Sequence, residues 1–172
     1  MNRENIKKQC YDIYKLSFPE PESEFENLLF ETCFEYCKYK IINDTVVSMF
    51  FALPCCLVTE NHQTATYIFA AATHPDYRKK GFMAEILNNY LKNNNNPVFL
   101  RPANQNLIDF YKKFGFICLK GINKISSTNQ LKPQLNYKKI GDTYKDLTGT
   151  EFTLMSRNSP KITEINFPFS MY

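Results

Sequence analysis

Apolar and polar positions change their period several times along the chain. Residues 2 to 16 place Ile6, Cys10, Ile13, Tyr14 and Leu16 on one side of a 3.6-residue repeat, which predicts a helix. Pro19 and Pro21 end it, and Ser23 with Glu26 three residues on resembles a capping box for a second helix running to about Tyr36. "YKIINDTVVSMFFALPCCLV" reads as a β-hairpin turning at Asn43-Asp44. "ATYIFAAAT" is apolar on both faces, the pattern of a central strand. From Phe82 to Leu91 an apolar stripe (Phe82, Met83, Ile86, Leu87, Tyr90, Leu91) predicts a helix that "NNNNP" stops. "VFL" predicts a short buried strand. "NQNLIDFYKKFG" predicts a helix capped by Asn104, with Lys112 and Lys113 in its last turn and Gly115 at C′. "FICL" predicts a strand. Beyond Gly121 the pattern weakens: "EFTLM" could be a strand, and 137 to 147 could be helix or loop. Helices, a hairpin and then strand–helix–strand–helix–strand predict a mixed α/β sheet in a single domain spanning 1–172, with 121–172 as an irregular C-terminal portion.

Composition narrows the class. At 172 residues, 44% of them hydrophobic and 15% aromatic, the chain can bury a substantial core. A net charge of +4 is a mild excess, unlike the basic stripe of a nucleic-acid binder, and Lys112, Lys113, Lys138 and Lys139 are scattered. The longest nearly apolar run, Val46 to Val58, is too short to span a bilayer as a helix, and "MNRENIKKQC" has no apolar signal core. The expectation is a cytoplasmic protein that binds neither nucleic acid nor membrane, with a homodimer left open. Cys33 and Cys37 form one spaced pair among six cysteines without a second, so reduced thiols and no metal are expected.

The charge that is present concentrates at one junction. In "THPDYRKKGFMAEIL", Arg78, Lys79 and Lys80 stand between the apolar strand and a helix expected to start near Lys79 or Lys80. Pro75 keeps His74 extended. The unpaired N–H groups of a first helical turn, with the helix dipole, form an anion site. Gly81 lets a ligand approach the backbone. The lone glycine matches neither G-x-G-x-x-G nor a Walker A loop. A solvated basic turn and a phosphate or pyrophosphate seat are both compatible with these residues. Cations at a helix N-terminus oppose the macrodipole by up to about 1 kcal/mol each, a penalty that a bound anion removes.

"YRKKGFM" resembles the acetyl-CoA pyrophosphate loop of the GNAT acetyltransferase family, Arg/Gln-x-x-Gly-x-Gly/Ala. Arg78 and Gly81 match, and Met83 departs from the small residue usual there. "RPANQNLIDFYKKFGF" resembles the family's second signature through Asn104, Tyr111, Gly115 and Phe116. "ATHPDYR" resembles the Eis-like branch. The resemblance covers residues 40 to 120 well and the N-terminal helices loosely. It implies a mostly antiparallel central sheet flanked by helices, with acetyl-CoA as co-substrate. The cofactor-binding residues it implies are Ala71, Ala72, Thr73, Arg78, Lys79, Lys80, Gly81, Phe82, Met83 and Asn104.

The resemblance also implies a mechanism. The strand "FAAAT" would splay and pair with the pantetheine arm, and an N–H near Ala72 or Thr73 would polarise the thioester carbonyl. Tyr111 would be the general acid, supporting a thiolate whose conjugate acid has a pKa of about 8.5. By periodicity alone Tyr111 could equally be core, with Leu107, Phe110 and Phe114 on its helix face. A primary amine costs roughly 4–5 kcal/mol to neutralise at pH 7. The strand carries no carboxylate, His74 lies in a His-Pro turn, and no base is assigned. Glu20, Glu22, Glu24, Glu26, Glu31 and Glu35 lie in the segment that often walls the family's acceptor pocket, which suits a cationic small-molecule or peptide amine. The implied activity is N-acetyl transfer from acetyl-CoA in a ternary complex. The alternative is a catalytically degenerate CoA-binding or regulatory module.

Overall fold

The computed structural model describes residues 1–19, 24–57, 63–119, 124–127, 138–140, 143–145, 151–158 and 164–167. In chain order these form α1 (Arg3–Ser17), α2 (Glu24–Thr32), β1 (Cys37–Ile42), β2 (Thr45–Leu57), β3 (Gln63–Thr73), α3 (Phe82–Lys92), β4 (Val98–Leu100), α4 (Gln105–Lys112) and β5 (Ile117–Cys118). Six further strands follow: β6 (Lys124–Ser127), β7 (Lys138–Ile140), β8 (Thr143–Lys145), β9 (Glu151–Phe152), β10 (Met155–Arg157) and β11 (Glu164–Phe167). The architecture is mixed α/β, with a mostly antiparallel sheet flanked by helices. The chain forms two compact units, Met1–Ala52 with Phe69–Asn94, and Leu53–Ile68 with Asn95–Tyr172.

In the first unit β2 pairs antiparallel with β1, from Ile42↔Thr45 to Cys37↔Phe51, with an irregularity at Lys40/Ile41. Asn43 and Asp44 take φ of 46° and 57°, the left-handed pair that a tight hairpin turn requires. Successive residues of β2 point to opposite faces. Phe51 meets Phe30 of α2 edge-on at 5.2 Å, and Phe30 in turn meets Tyr11 and Tyr14 of α1. Phe50 points the other way and meets Tyr90 of α3 at 5.7 Å. Thus α1 and α2 cover one face and α3 the other. Asn2 caps α1 by accepting the Asn5 N–H at 2.9 Å. Leu16, expected on the apolar side, is 55% exposed, because Cys10, Ile13 and Tyr14 alone set the buried stripe at the end of α1. The capping-box serine, Ser23, lies outside the described residues; Glu26 is buried beside Lys15 instead, at 3.2 Å.

In the second unit the strands run in the order β5-β10-β4-β3 and, on the other side, β2-β11-β6. β3 and β4 pair in parallel from Thr66↔Val98 to Ile68↔Leu100. The three-residue β10 lies antiparallel between β4 and β5, with Met155 opposite both Leu100 and Cys118. Val98, Phe99, Leu100, Leu154 and Met155 are buried there. The region 137 to 147, read as helix or loop, contains the strands β7 and β8, and β8 pairs with both β7 and β9 in a separate three-stranded sheet. "EFTLM" is two short strands rather than one.

Candidate active site

The end of β3 is built from small residues and held firmly. Ala70 adopts φ 51°, a left-handed residue inside a strand, so the strand is kinked there. Ala70 and Ala72 are buried and Ala71 is half-buried. The Ser48 hydroxyl donates to the Ala72 carbonyl at 3.2 Å and lies 2.8 Å from the Thr73 hydroxyl. The His74 N–H donates to the Val47 carbonyl at 3.0 Å, and Arg78 Nε donates to the Thr73 carbonyl at 3.1 Å. The Ala70 kink and Ser48 were not singled out from sequence. A lone serine inside "VVSMFF" is the signal that could have drawn attention to Ser48.

The loop that follows differs from the helix start expected near Lys79 or Lys80. Pro75–Tyr77 form one 3-10 turn, and α3 begins at Phe82 with Gly81 as its N-cap. The cause is two left-handed residues, Lys79 at φ 60° and Gly81 at φ 83°. The basic residues therefore precede the first turn instead of occupying it. A Cβ on Gly81 would meet nothing within 4 Å, so glycine is required by its φ, and the space before α3 is open. By helix geometry the N–H groups of Phe82, Met83 and Ala84 lack intrahelical partners. Their donation does not involve the Met83 side chain.

The three cations are not equivalent. Arg78 spends one of its five N–H donors on Thr73. Lys80 donates to the Asp76 carbonyl at 2.9 Å and stands 5.0 Å over the Tyr77 ring. Lys79 is exposed and, among the described residues, makes no ion pair or hydrogen bond. His74 Nδ1 accepts the Asp76 N–H at 3.3 Å, capping the 3-10 turn. That bond puts a neutral imidazole's proton on Nε2, which makes His74 a turn-former rather than a base in this arrangement.

In the second unit, α4 has the punctuation read from sequence. Asn104 Oδ1 accepts the Leu107 N–H at 3.1 Å, which leaves its NH2 as donors. The Gly115 N–H donates to the Lys112 carbonyl at 3.0 Å and that of Phe116 to Tyr111 at 3.4 Å. With Gly115 at φ 82°, this is a Schellman end with glycine at C′. Tyr111 is 6% exposed and packs edge-on against Phe110 and Phe116. Burial pushes its phenol up to about 12. Among the described residues its hydroxyl has no hydrogen-bond partner.

The acidic segment is only partly on view. Glu20 and Glu22 lie outside the described residues, as does the Glu24 side chain. Glu31 pairs with Lys7 at 2.6 Å and Glu35 is exposed. Cys10, Cys33, Cys37 and Cys118 are free thiols. A hydrogen bond with Cys10, together with burial, raises the Cys37 thiol. Among the described residues no group of three or more His, Cys, Asp or Glu could hold a metal, and no helix is long and apolar enough to cross a membrane.

Residues 3–118 match a family model described as an acetyltransferase (GNAT) domain. The chain belongs to the GNAT acetyltransferase family. That span takes in both signature segments, "YRKKGFM" and "NQNLIDFYKKFGF". No curated protein matches the sequence. Among solved structures, this GNAT chain is similar to a conserved protein from Enterococcus faecalis described as a probable N-acyltransferase. The identity is 22% and the TM-score 0.57, over 67% of this chain and 30% of that one. The chain thus spans under a third of that protein's length. It is also similar to Arabidopsis thaliana Naa50 in complex with the bisubstrate analogue CoA-Ac-MVNAL, at 20% identity and TM-score 0.58 over 91% of this chain and 94% of that one. An aminoglycoside 6′-N-acetyltransferase complexed with coenzyme A matches at 13% identity and TM-score 0.61, over 94% and 96%. At these identities the likeness is one of fold.

Proposed function

We propose that this GNAT chain is an N-acetyltransferase that moves an acetyl group from acetyl-CoA to a primary amine of a small molecule or peptide, by direct transfer in a ternary complex. "ATHPDYR" aligns it with the Eis-like branch. The observation that carries the reading is the loop before α3. Left-handed Lys79 and Gly81 deliver the chain to an open helix start, and Arg78 and Lys79 stand beside it with donors to spare. Three backbone N–H groups, a helix dipole and two cations fit a pyrophosphate. Lys80 serves the loop through Asp76 and Tyr77 as well as adding charge.

The small residues Ala71 and Ala72, with Thr73, suit backbone pairing with an amide-bearing arm. An N–H near Ala72 or Thr73 then polarises the thioester carbonyl. Asn104 offers its NH2 donors to the same co-substrate. When acetyl-CoA is bound, the neutral amine nitrogen forms a bond to the acetyl carbon, the carbon–sulfur bond breaks, the sulfur leaves as a thiolate, and the surplus proton on nitrogen passes to solvent.

Tyr111 is the acid that supports the leaving sulfur. With its phenol at about 12 and a free thiol at about 8.5, full proton transfer is uphill by about 5 kcal/mol at about 1.36 per unit. Tyr111 therefore acts by donating a hydrogen bond to the thiolate, and stays protonated throughout the neutral range. A panel of primary amines with acetyl-CoA, read by thiol release, tests the proposal and separates turnover from CoA binding without it. Release that depends on an amine supports transfer. CoA binding without release from any amine favours the binding module.

A further inference from the structure

Ser48 sits on β2 with no solvent exposure, yet its hydroxyl faces two oxygens. One is the Ala72 carbonyl at 3.2 Å and the other the Thr73 hydroxyl at 2.8 Å. A carbonyl can only accept, and Ser48 has one proton. If that proton goes to Ala72, the 2.8 Å contact is a hydrogen bond only when Thr73 is its donor. Thr73 then spends its single proton on the interior of the sheet. Its remaining lone pairs belong to a half-buried oxygen that can accept but not donate. The residue is held on every side: Arg78 binds its carbonyl and Val47 the following N–H. As a β-branched side chain it has few χ1 options to escape that orientation.

We propose that Thr73 Oγ1 is an acceptor-only site for an amide N–H of the pantetheine arm, and that Ser48 is the positioning residue that sets this polarity. This rests on the acetyl-CoA reading. An oxygen without a proton to give repels phosphate and carboxylate oxygens and suits a neutral N–H donor. The two halves of the co-substrate are thereby read by different chemistry. Cations and helix N–H groups at 78–84 take the phosphates, and a polarised hydroxyl at Thr73 takes the uncharged arm. An amine acceptor could also offer an N–H to the same oxygen, so the test is made without any amine.

Titration calorimetry with CoA and with 3′,5′-ADP, which carries phosphates and adenine but no pantetheine, separates the two halves. Thr73→Val keeps the shape and removes the hydroxyl. It should weaken CoA about tenfold, the effect of one neutral hydrogen bond, and leave 3′,5′-ADP within about twofold. Thr73→Ser should restore CoA binding to within about threefold. Ser48→Ala frees the Thr73 proton to turn outward and should weaken CoA but not 3′,5′-ADP. If Ser48→Ala does not fold, the Thr73 pair decides. Unchanged CoA affinity in Thr73→Val, or equal losses on both ligands, overturns the proposal. A wild-type protein that binds neither ligand overturns the acetyl-CoA reading and this inference with it.

Discussion

Replacing Tyr111 with phenylalanine isolates one hydroxyl. Tyr111 is 6% exposed, its ring packs against Phe110 and Phe116, and its phenol is pushed up to about 12 by burial. The ring contacts survive in Tyr111→Phe. Its hydroxyl has no partner among the described residues, so the melting temperature should move by no more than about 2 °C, less than about 1 kcal/mol for a chain of this size. Catalysis is expected to respond differently. A hydrogen bond to a charged group contributes roughly 1.5–3 kcal/mol, and here it forms only as the thiolate does. The expected loss in kcat is therefore about tenfold to 150-fold, with little change in CoA affinity. The assay is thiol release at saturating acetyl-CoA across pH 7 to 10.5. Because the phenol titrates near 12, Tyr111 should impose no alkaline limb in that range. A wild-type kcat that falls above pH 9, with the fall abolished in Tyr111→Phe, would refute the assignment of a hydrogen-bond donor that never ionises. An unchanged kcat would return Tyr111 to the core.

Stability should decline from about pH 8.5 upward, first because the unfolded chain releases the Cys37 thiol proton that the folded chain holds, and more steeply above about pH 10, where Tyr111 and, to a lesser extent, the partly screened Tyr14 keep phenol protons that the unfolded chain loses; Tyr111 alone contributes about 3 kcal/mol between pH 10 and 12, which Tyr111→Phe should remove in alkaline denaturation. Gly81→Ala places a side chain at φ 83° with nothing within 4 Å, so it should cost about 1–2 kcal/mol of stability through backbone strain alone and weaken CoA further by filling open space, as calorimetry on the folded variant would measure. Ala70→Val puts a β-branched residue at φ 51° in a buried position and should lower the melting temperature by several degrees, whereas Ala70→Gly should not. Lys79→Ala should weaken CoA with no change in melting temperature, while Lys80→Ala should lower both, since Lys80 also holds Asp76 and Tyr77.

The parts legible in the sequence were those with local causes. Asn43-Asp44 tolerates left-handed φ, so the hairpin could be read from two residues. Asn104 and Gly115 mark the ends of α4 for similar reasons, a side-chain acceptor and a residue without Cβ. The loop was legible in its charge but not in its shape. Lys79 is not a residue type that announces a positive φ, so α3 was expected to start two or three residues early. β10 was hidden because three residues are too few to show a period, and its place is set by β4 and β5, far away in sequence. The Ser48–Thr73 pair joins residues 25 apart and is visible only once β2 and β3 lie side by side.

The central claim is that the loop before α3 seats acetyl-CoA, and thermal unfolding with the co-substrate tests it most directly. At a ligand concentration one hundred times the dissociation constant, binding to the folded state adds about 2.7 kcal/mol. For a chain of this length that raises the melting temperature by roughly 5–10 °C, with a smaller rise in Lys79→Ala. No shift at saturating acetyl-CoA, in a protein that otherwise unfolds cooperatively, would contradict the account.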